Sequence, residues 1–149
     1  MPRIEKPYIL LVDDNEATSA LMTALLQREF AIRTATDGVE AIEELKTRQY
    51  AAILLDLRMP QMDGFGVLDY LREHSPETVK RVLVVSAALH DREVGRLRAY
   101  DVCGVIRKPF EVEVLLDAVK TCAGTSGGGF GNVLCTVLLI ADLLRQTRW

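Results

Sequence analysis

Apolar runs of strand length alternate with stretches of helical period along most of this 149-residue chain. The pattern predicts strands at Tyr8 to Val12, Ala31 to Ala35, Ala51 to Leu55, Val82 to Val85 and Val102 to Ile106. It predicts helices at Ala17 to Arg28, Val39 to Thr47, Gly66 to Glu73, Arg92 to Tyr100 and Val112 to Cys122. In the first helix Ala17, Leu21, Ala24, Leu25 and Arg28 would share one face, and Asn15 is placed to cap its start. Asp37 and Gly38 mark a turn into the second helix, where Val39, Ile42 and Leu45 recur at helical spacing. Pro76 is read as closing the loop after the third helix, and Pro109 follows the fifth strand.

A βα unit repeated five times with short connections argues for an α/β fold: a parallel sheet with helices on both faces. Parallel crossovers are right-handed, so the carboxyl ends of all strands open on one side. That edge is where open α/β sheets bind and react. Asp13 and Asp14 end the first strand, Asp56 the third, Ser86 the fourth and Lys108 the fifth, so the topology gathers all five there.

The densest signal is AAILLDLRMPQMDG, Ala51 to Gly64, in which an apolar run ends abruptly at Asp56. Three carboxylates on neighbouring strand ends repel one another unless a cation sits among them. An all-oxygen site of this kind suits Mg²⁺, with Mn²⁺ as a substitute. An isolated Asp after a strand is usually a turn former or a helix cap. Carboxylates joined by a hydroxyl and an ammonium are instead what phosphoryl transfer to an oxygen nucleophile requires, because such catalysis is mainly in-line positioning and charge neutralisation. Asp56 would be the nucleophile and the product an acyl phosphate.

Composition narrows the class. With 49% hydrophobic and 26% charged residues, the chain can bury a proper core as one domain of ordinary size. A formal charge of −3 gives no general attraction for nucleic acid, and no direct DNA binding is expected. Cys103, Cys122 and Cys135 lack metal-ligand spacing, and His74 and His90 are the only histidines, so no zinc site is expected. Reduced thiols in a cytoplasmic protein are the expectation, and MPRIEKPY carries no signal-peptide core.

These residues together resemble the receiver domain of two-component response regulators, over roughly Pro7 to Ala123. The resemblance rests on Asp13 and Asp14, on Asp56 within DLRMPQMDG, on Ser86 followed by Ala87, and on Lys108 with Pro109. The intervals agree as well, 30 residues from Asp56 to Ser86 and 22 from Ser86 to Lys108. It implies a flavodoxin-like, doubly wound sheet of strand order 2-1-3-4-5 in a domain of residues 1–123. It implies phosphorylation of Asp56 by a histidine kinase or phosphotransfer protein, catalysed with Ser86 and Lys108, and a change of affinity for a downstream protein. Such a domain catalyses only its own phosphorylation and dephosphorylation. Asp14, Asp56 and the backbone carbonyl of Arg58 would coordinate Mg²⁺ directly, with Asp13 reaching it through water. The Lys108–Pro109 bond would be cis, and partners would engage the region from about Asp91 to Cys122.

Three features depart from the family pattern. Val105 stands where the family often has a Tyr or Phe that rotates between core and surface; a β-branched aliphatic has no ring to swing, so signalling through the loop from Ala87 to Asp91 is expected instead. Arg58 and Ala88, each two residues past a site residue, are read as tuning the lifetime of the phosphoryl group. Residues 124–132, GTSGGGFGN, have the composition of a linker. Residues 133–149 open with an almost wholly apolar stretch expected to form a helix, which at about 18 Å for twelve residues falls short of a membrane's ~30 Å core. That segment is expected to seek cover, most simply in a homodimer, the alternative being a vestigial end. Two other readings of the whole remain: a phosphorylation-independent interaction module, and a hydrolase with an aspartyl-phosphate intermediate. The hydrolase pattern has a second acid where this chain has Arg58.

Overall fold

The computed structural model describes residues 5–124. Strands β1 (Tyr8–Val12), β2 (Ala31–Ala35), β3 (Ala52–Leu55), β4 (Val82–Ser86) and β5 (Gly104–Arg107) form one sheet in the order β2-β1-β3-β4-β5, every pair parallel. Helices α1 (Glu16–Leu26), α2 (Gly38–Thr47), α3 (Gly64–His74), the one-turn α4 (Pro76–Val79), α5 (Asp91–Leu97) and α6 (Val112–Cys122) connect and cover it. This is the flavodoxin-like, doubly wound arrangement expected from the sequence.

Strand geometry explains the two cores. Successive side chains point to opposite faces, and here nearly all of them are apolar. Leu10, Val12, Ile53, Leu55, Val82, Val84 and Val105 pack on one side with Ala41, Leu68, Val94 and Leu97 of α2, α3 and α5. Ile9, Leu11, Leu54, Leu83, Val85 and Ile106 pack on the other with Met22 and Leu26 of α1 and Leu115, Ala118 and Val119 of α6. A sheet buried on both faces must read as continuous hydrophobic runs rather than as alternation.

Helix starts are set by side-chain caps. Asn15 accepts from the Thr18 N–H, Asp37 from Glu40 and Asp63 from Gly66, each satisfying an orphan donor of the first turn. Gly64 is required for another reason. A Cβ there would lie 2.5 Å from the carbonyl oxygen of Asp56 and 2.8 Å from the Cα of Leu57. The first turn of α3 thus rests directly on the backbone that carries Asp56, and the Gly64 N–H donates to the Leu57 carbonyl.

Several expectations are corrected. The buried face of α1 is Met22 and Leu26, while Leu21 is 52% exposed. In α2 the buried residues are Gly38, Ala41 and Ile42, and Val39 is exposed. Pro76 does not close a loop; it opens α4, where its missing N–H costs nothing. The ladder of β5 begins at Gly104, two residues later than Val102. The expectation of reduced thiols fails for two of the three cysteines: Cys103, just before β5, is joined in a disulfide to Cys122 at the end of α6, with Cα atoms 5.8 Å apart. A sequence separation of 19 hides that pairing from spacing arguments; the packing of α6 along the sheet creates it. The linker over residues 125–132 and the apolar segment over residues 133–149 lie outside the described residues. No helix among the described residues is long and apolar enough to cross a membrane.

Candidate functional site

All five residues singled out at the strand ends meet. One carboxylate oxygen each from Asp13, Asp14 and Asp56 lies within 4.8 Å of the others. Asp13 and Asp56 are buried, at 2% and 9% exposure, whereas Asp14 is exposed and forms the open side of the cluster. β1 holds the first acid in place, since the Asp13 N–H donates to the Ala35 carbonyl of neighbouring β2 and the Asp13 carboxylate accepts from the Asn15 N–H. β3 places the second, with the Asp56 N–H donating to the Val12 carbonyl.

The groups that face Asp56 are a hydroxyl and an ammonium. The Ser86 hydroxyl, fully buried at the end of β4, donates to Asp56 Oδ1 at 2.8 Å. The Arg58 N–H approaches the same oxygen at 3.3 Å, which sets the backbone after β3 against the carboxylate. The Lys108 ammonium lies 3.3 Å from Asp56 Oδ2 and 2.5 Å from Asp13 Oδ2, with only 16% of its side chain exposed. One cation thus bridges two buried anions, and the Coulomb attraction is strong because little water screens it. The Lys108 N–H also donates to the Ser86 carbonyl, which locks the ends of β4 and β5 together. The bond from Lys108 to Pro109 is cis.

Charge balance tests the fit of a metal. Three carboxylates face one ammonium, so the cluster carries an excess of negative charge, all of its donors are hard oxygens, and its exposed member Asp14 leaves a way in. That donor set suits a divalent cation of the Mg²⁺ kind better than a soft metal.

The residues named as a switch region are placed as follows. Ala87 is exposed, Ala88 is buried with its N–H on the Ser86 hydroxyl at 3.2 Å, and Val105 packs into the core beside Leu89. Sequence reasoning overlooked Arg107. Its guanidinium donates to the carbonyl of Leu89 at 2.5 Å, tying the loop after β4 to the end of β5. Strand alternation was the available signal, since Arg107 shares a face with Val105.

Comparison with known proteins agrees with this geometry. Residues 9–120 match the family described as the response regulator receiver domain. The transcriptional regulatory protein SrrA of Staphylococcus aureus is 36% identical over 115 residues, which cover 75% of this chain and 46% of SrrA. The chain therefore spans about half the length of the curated relatives it matches. Among solved structures, the chemotaxis response regulator CheY4 of Vibrio cholerae is 25% identical at a TM-score of 0.71, covering 78% of this chain and 98% of that one. The receiver domain of sensor histidine kinase PA1611 from Pseudomonas aeruginosa PAO1, solved with a magnesium ion coordinated in its active site cleft, has the same fold at 22% identity and a TM-score of 0.72, covering 80% and 98% of the two chains. By its matched sequence, its sheet order and the convergence of Asp13, Asp14, Asp56, Ser86 and Lys108, the chain belongs to the response regulator receiver domain family.

Proposed function

We propose that this receiver accepts a phosphoryl group on Asp56 from the phosphohistidine of a histidine kinase or phosphotransfer protein. The observation that carries the reading is the setting of Asp56: a buried carboxylate bonded at once to a buried hydroxyl and a bridging ammonium, beside two further acids. In the transfer, a bond forms between an Asp56 carboxylate oxygen and phosphorus, the phosphorus–nitrogen bond of the donor breaks, and its electron pair leaves with the imidazole, which takes up a proton. Negative charge spreads over the three equatorial oxygens of the moving group. The Ser86 hydroxyl and the Lys108 ammonium, already within bonding distance of the carboxylate, would meet two of these oxygens. Both donors stand close to the nucleophile before transfer, so only a short turn brings them onto the phosphoryl group.

Asp14 and Asp56 would hold Mg²⁺ directly with the Arg58 carbonyl, and Asp13 through water; Mn²⁺ would serve the same ligands. When bound, the ion supplies positive charge to a phosphoryl oxygen. The magnesium in the PA1611 receiver supports this assignment. On this reading the domain, within residues 1–123, turns over no substrate beyond its own acyl phosphate. Its output is a changed affinity for a downstream protein or a second copy of itself. The expectation of no direct DNA binding applies to these receiver residues alone.

Incubation with acetyl phosphate tests the proposal. Intact-mass spectrometry should show one added phosphoryl group in the presence of Mg²⁺ and none after chelation. Asp56→Asn keeps the shape and removes the nucleophile, so it should abolish the adduct. An undiminished Mg²⁺-dependent adduct in that variant would overturn the assignment.

A further inference from the structure

Among the described residues, strand β5 is an edge of the sheet and pairs with β4 in the register Val84↔Val105, Val85↔Ile106 and Ser86↔Arg107. Alternation sends Ile106 to the α1 and α6 side and Val105 and Arg107 to the α5 side, where Val105 packs with Leu89, Val94 and Leu97. Val105 is short, so no ring stands between the end of β5 and the loop after β4. The guanidinium of Arg107 makes the connection instead, through its bond to the Leu89 carbonyl. Its Nε is buried with no partner among the described residues, so the side chain is committed to this position at a cost.

The same loop is held at its other end by the acceptor. Asp56 Oδ1 receives the Ser86 hydroxyl, and the Ser86 oxygen receives the Ala88 N–H. Leu89 is the next residue, fully buried. Residues 86–89 are therefore strung between the Asp56 carboxylate and the Arg107 guanidinium. Conversion of Asp56 to an acyl phosphate moves the negative charge from the carboxylate to phosphoryl oxygens, which are new acceptors farther from β3. The Ser86 hydroxyl then gains by turning to them, and the Ala88 amide bonded to it is drawn along.

We propose that Arg107 is a positioning residue: its bond to the Leu89 carbonyl latches the loop in the unphosphorylated arrangement, and phosphorylation of Asp56 acts by releasing it. The release half rests on the phosphoacceptor reading given above; the latch half stands on the resting geometry alone. Once released, the guanidinium is free to turn outward at the sheet edge, so the signal arrives as a relocated positive charge rather than as a rotated ring.

Hydrogen exchange on the full chain, read by mass spectrometry over a peptide spanning residues 87–94, tests both halves, with beryllofluoride and Mg²⁺ as the phosphoryl mimic. In the parent, the mimic should speed exchange in this peptide. Arg107→Met keeps the length of the side chain and removes its donors, so it should exchange about tenfold faster at rest, as expected for loss of one charge-assisted hydrogen bond, and respond little to the mimic. Arg107→Lys, which retains a donor, should recover protection, and exchange over residues 8–12 should be the same in all three. Parental exchange at residues 87–94 in Arg107→Met would overturn the latch. A parent whose loop ignores the mimic while ¹⁹F NMR shows it bound would overturn the release. Absence of any bound fluoride signal would overturn the phosphoacceptor reading, and with it the trigger for release.

Discussion

Replacing Lys108 by Met should unmask the repulsion that the ammonium now contains. The ammonium sits 2.5 Å from Asp13 Oδ2 and 3.3 Å from Asp56 Oδ2, and these two residues are only 2% and 9% exposed. At an effective dielectric constant of about 20, a pair at ~3.3 Å attracts by about 5 kcal/mol before desolvation is subtracted. Removing one partner of a buried pair costs about 3–5 kcal/mol, because the remaining charges stay buried without compensation. Asp14 opens this cluster to water, which favours the lower end, so about 3 kcal/mol is expected in metal-free buffer. With a urea dependence of roughly 2 kcal/mol per molar, that is a fall of about 1.5 M in the midpoint. A divalent cation offers the same carboxylates another partner, and at a hundredfold excess over its dissociation constant it adds about 2.7 kcal/mol to a protein that binds it only when folded. Mg²⁺ should therefore raise the midpoint of Lys108→Met more than that of the parent, in which the ammonium competes for the same oxygens. Urea titrations of both proteins with EDTA and with Mg²⁺ decide the matter. A variant as stable as the parent without metal, or an equal gain from Mg²⁺ in both, would refute the reasoning.

Other perturbations probe the neighbouring groups. Asp14→Ala should weaken Mg²⁺ binding in calorimetry at least tenfold while leaving the unfolding free energy in EDTA within about 0.5 kcal/mol of the parent, as expected for an exposed surface position. Gly64→Ala places a methyl group 2.5 Å from the Asp56 carbonyl oxygen, and overpacking of this kind costs about 1–3 kcal/mol, so both stability and the initial rate of acetyl phosphate labelling should fall. Burial, reinforced by the hydrogen bond to Glu44, pushes the Tyr50 hydroxyl up to about 12. The folded state therefore keeps a proton that the unfolded chain loses near pH 10; the associated stability is complete below pH 10 and is lost as pH rises to about 12. Tyr50→Phe should flatten that part of the stability profile, measured by urea midpoints from pH 8 to pH 12.

The strands were legible because a sheet covered on both sides demands unbroken apolar runs, and YILLV and VLVVS can be little else. The site was legible for the same reason: once the strands are parallel, whatever polar residue ends each run must share one edge. Helix faces were not. In α1, Leu21 and Leu25 compete with Met22 and Leu26 as equally apolar stripes, and the choice is made by the far partners Leu115 and Val119 of α6 rather than by anything local. The start of β5 was misplaced because Val102 and Cys103 are as buried as strand residues; the Cys103 N–H already bonds Val82, yet the ladder begins only at Gly104. Arg107 was passed over because a basic residue beside Lys108 reads as ordinary surface charge until its bond to Leu89 is seen.

The Cys103–Cys122 bridge closes residues 103–122 into a covalent ring that holds both Arg107 and Lys108. Helix α6 is pinned by its last turn to the entry of β5, far from the acidic edge, while its first turn follows closely on Lys108 and Pro109. The end of α6 nearest Lys108 is held by contacts alone, with Leu115 fully buried against the sheet while Val112 and Val114, 43% and 41% exposed, face outward, so the helix is fastened covalently only at the end away from the acidic edge.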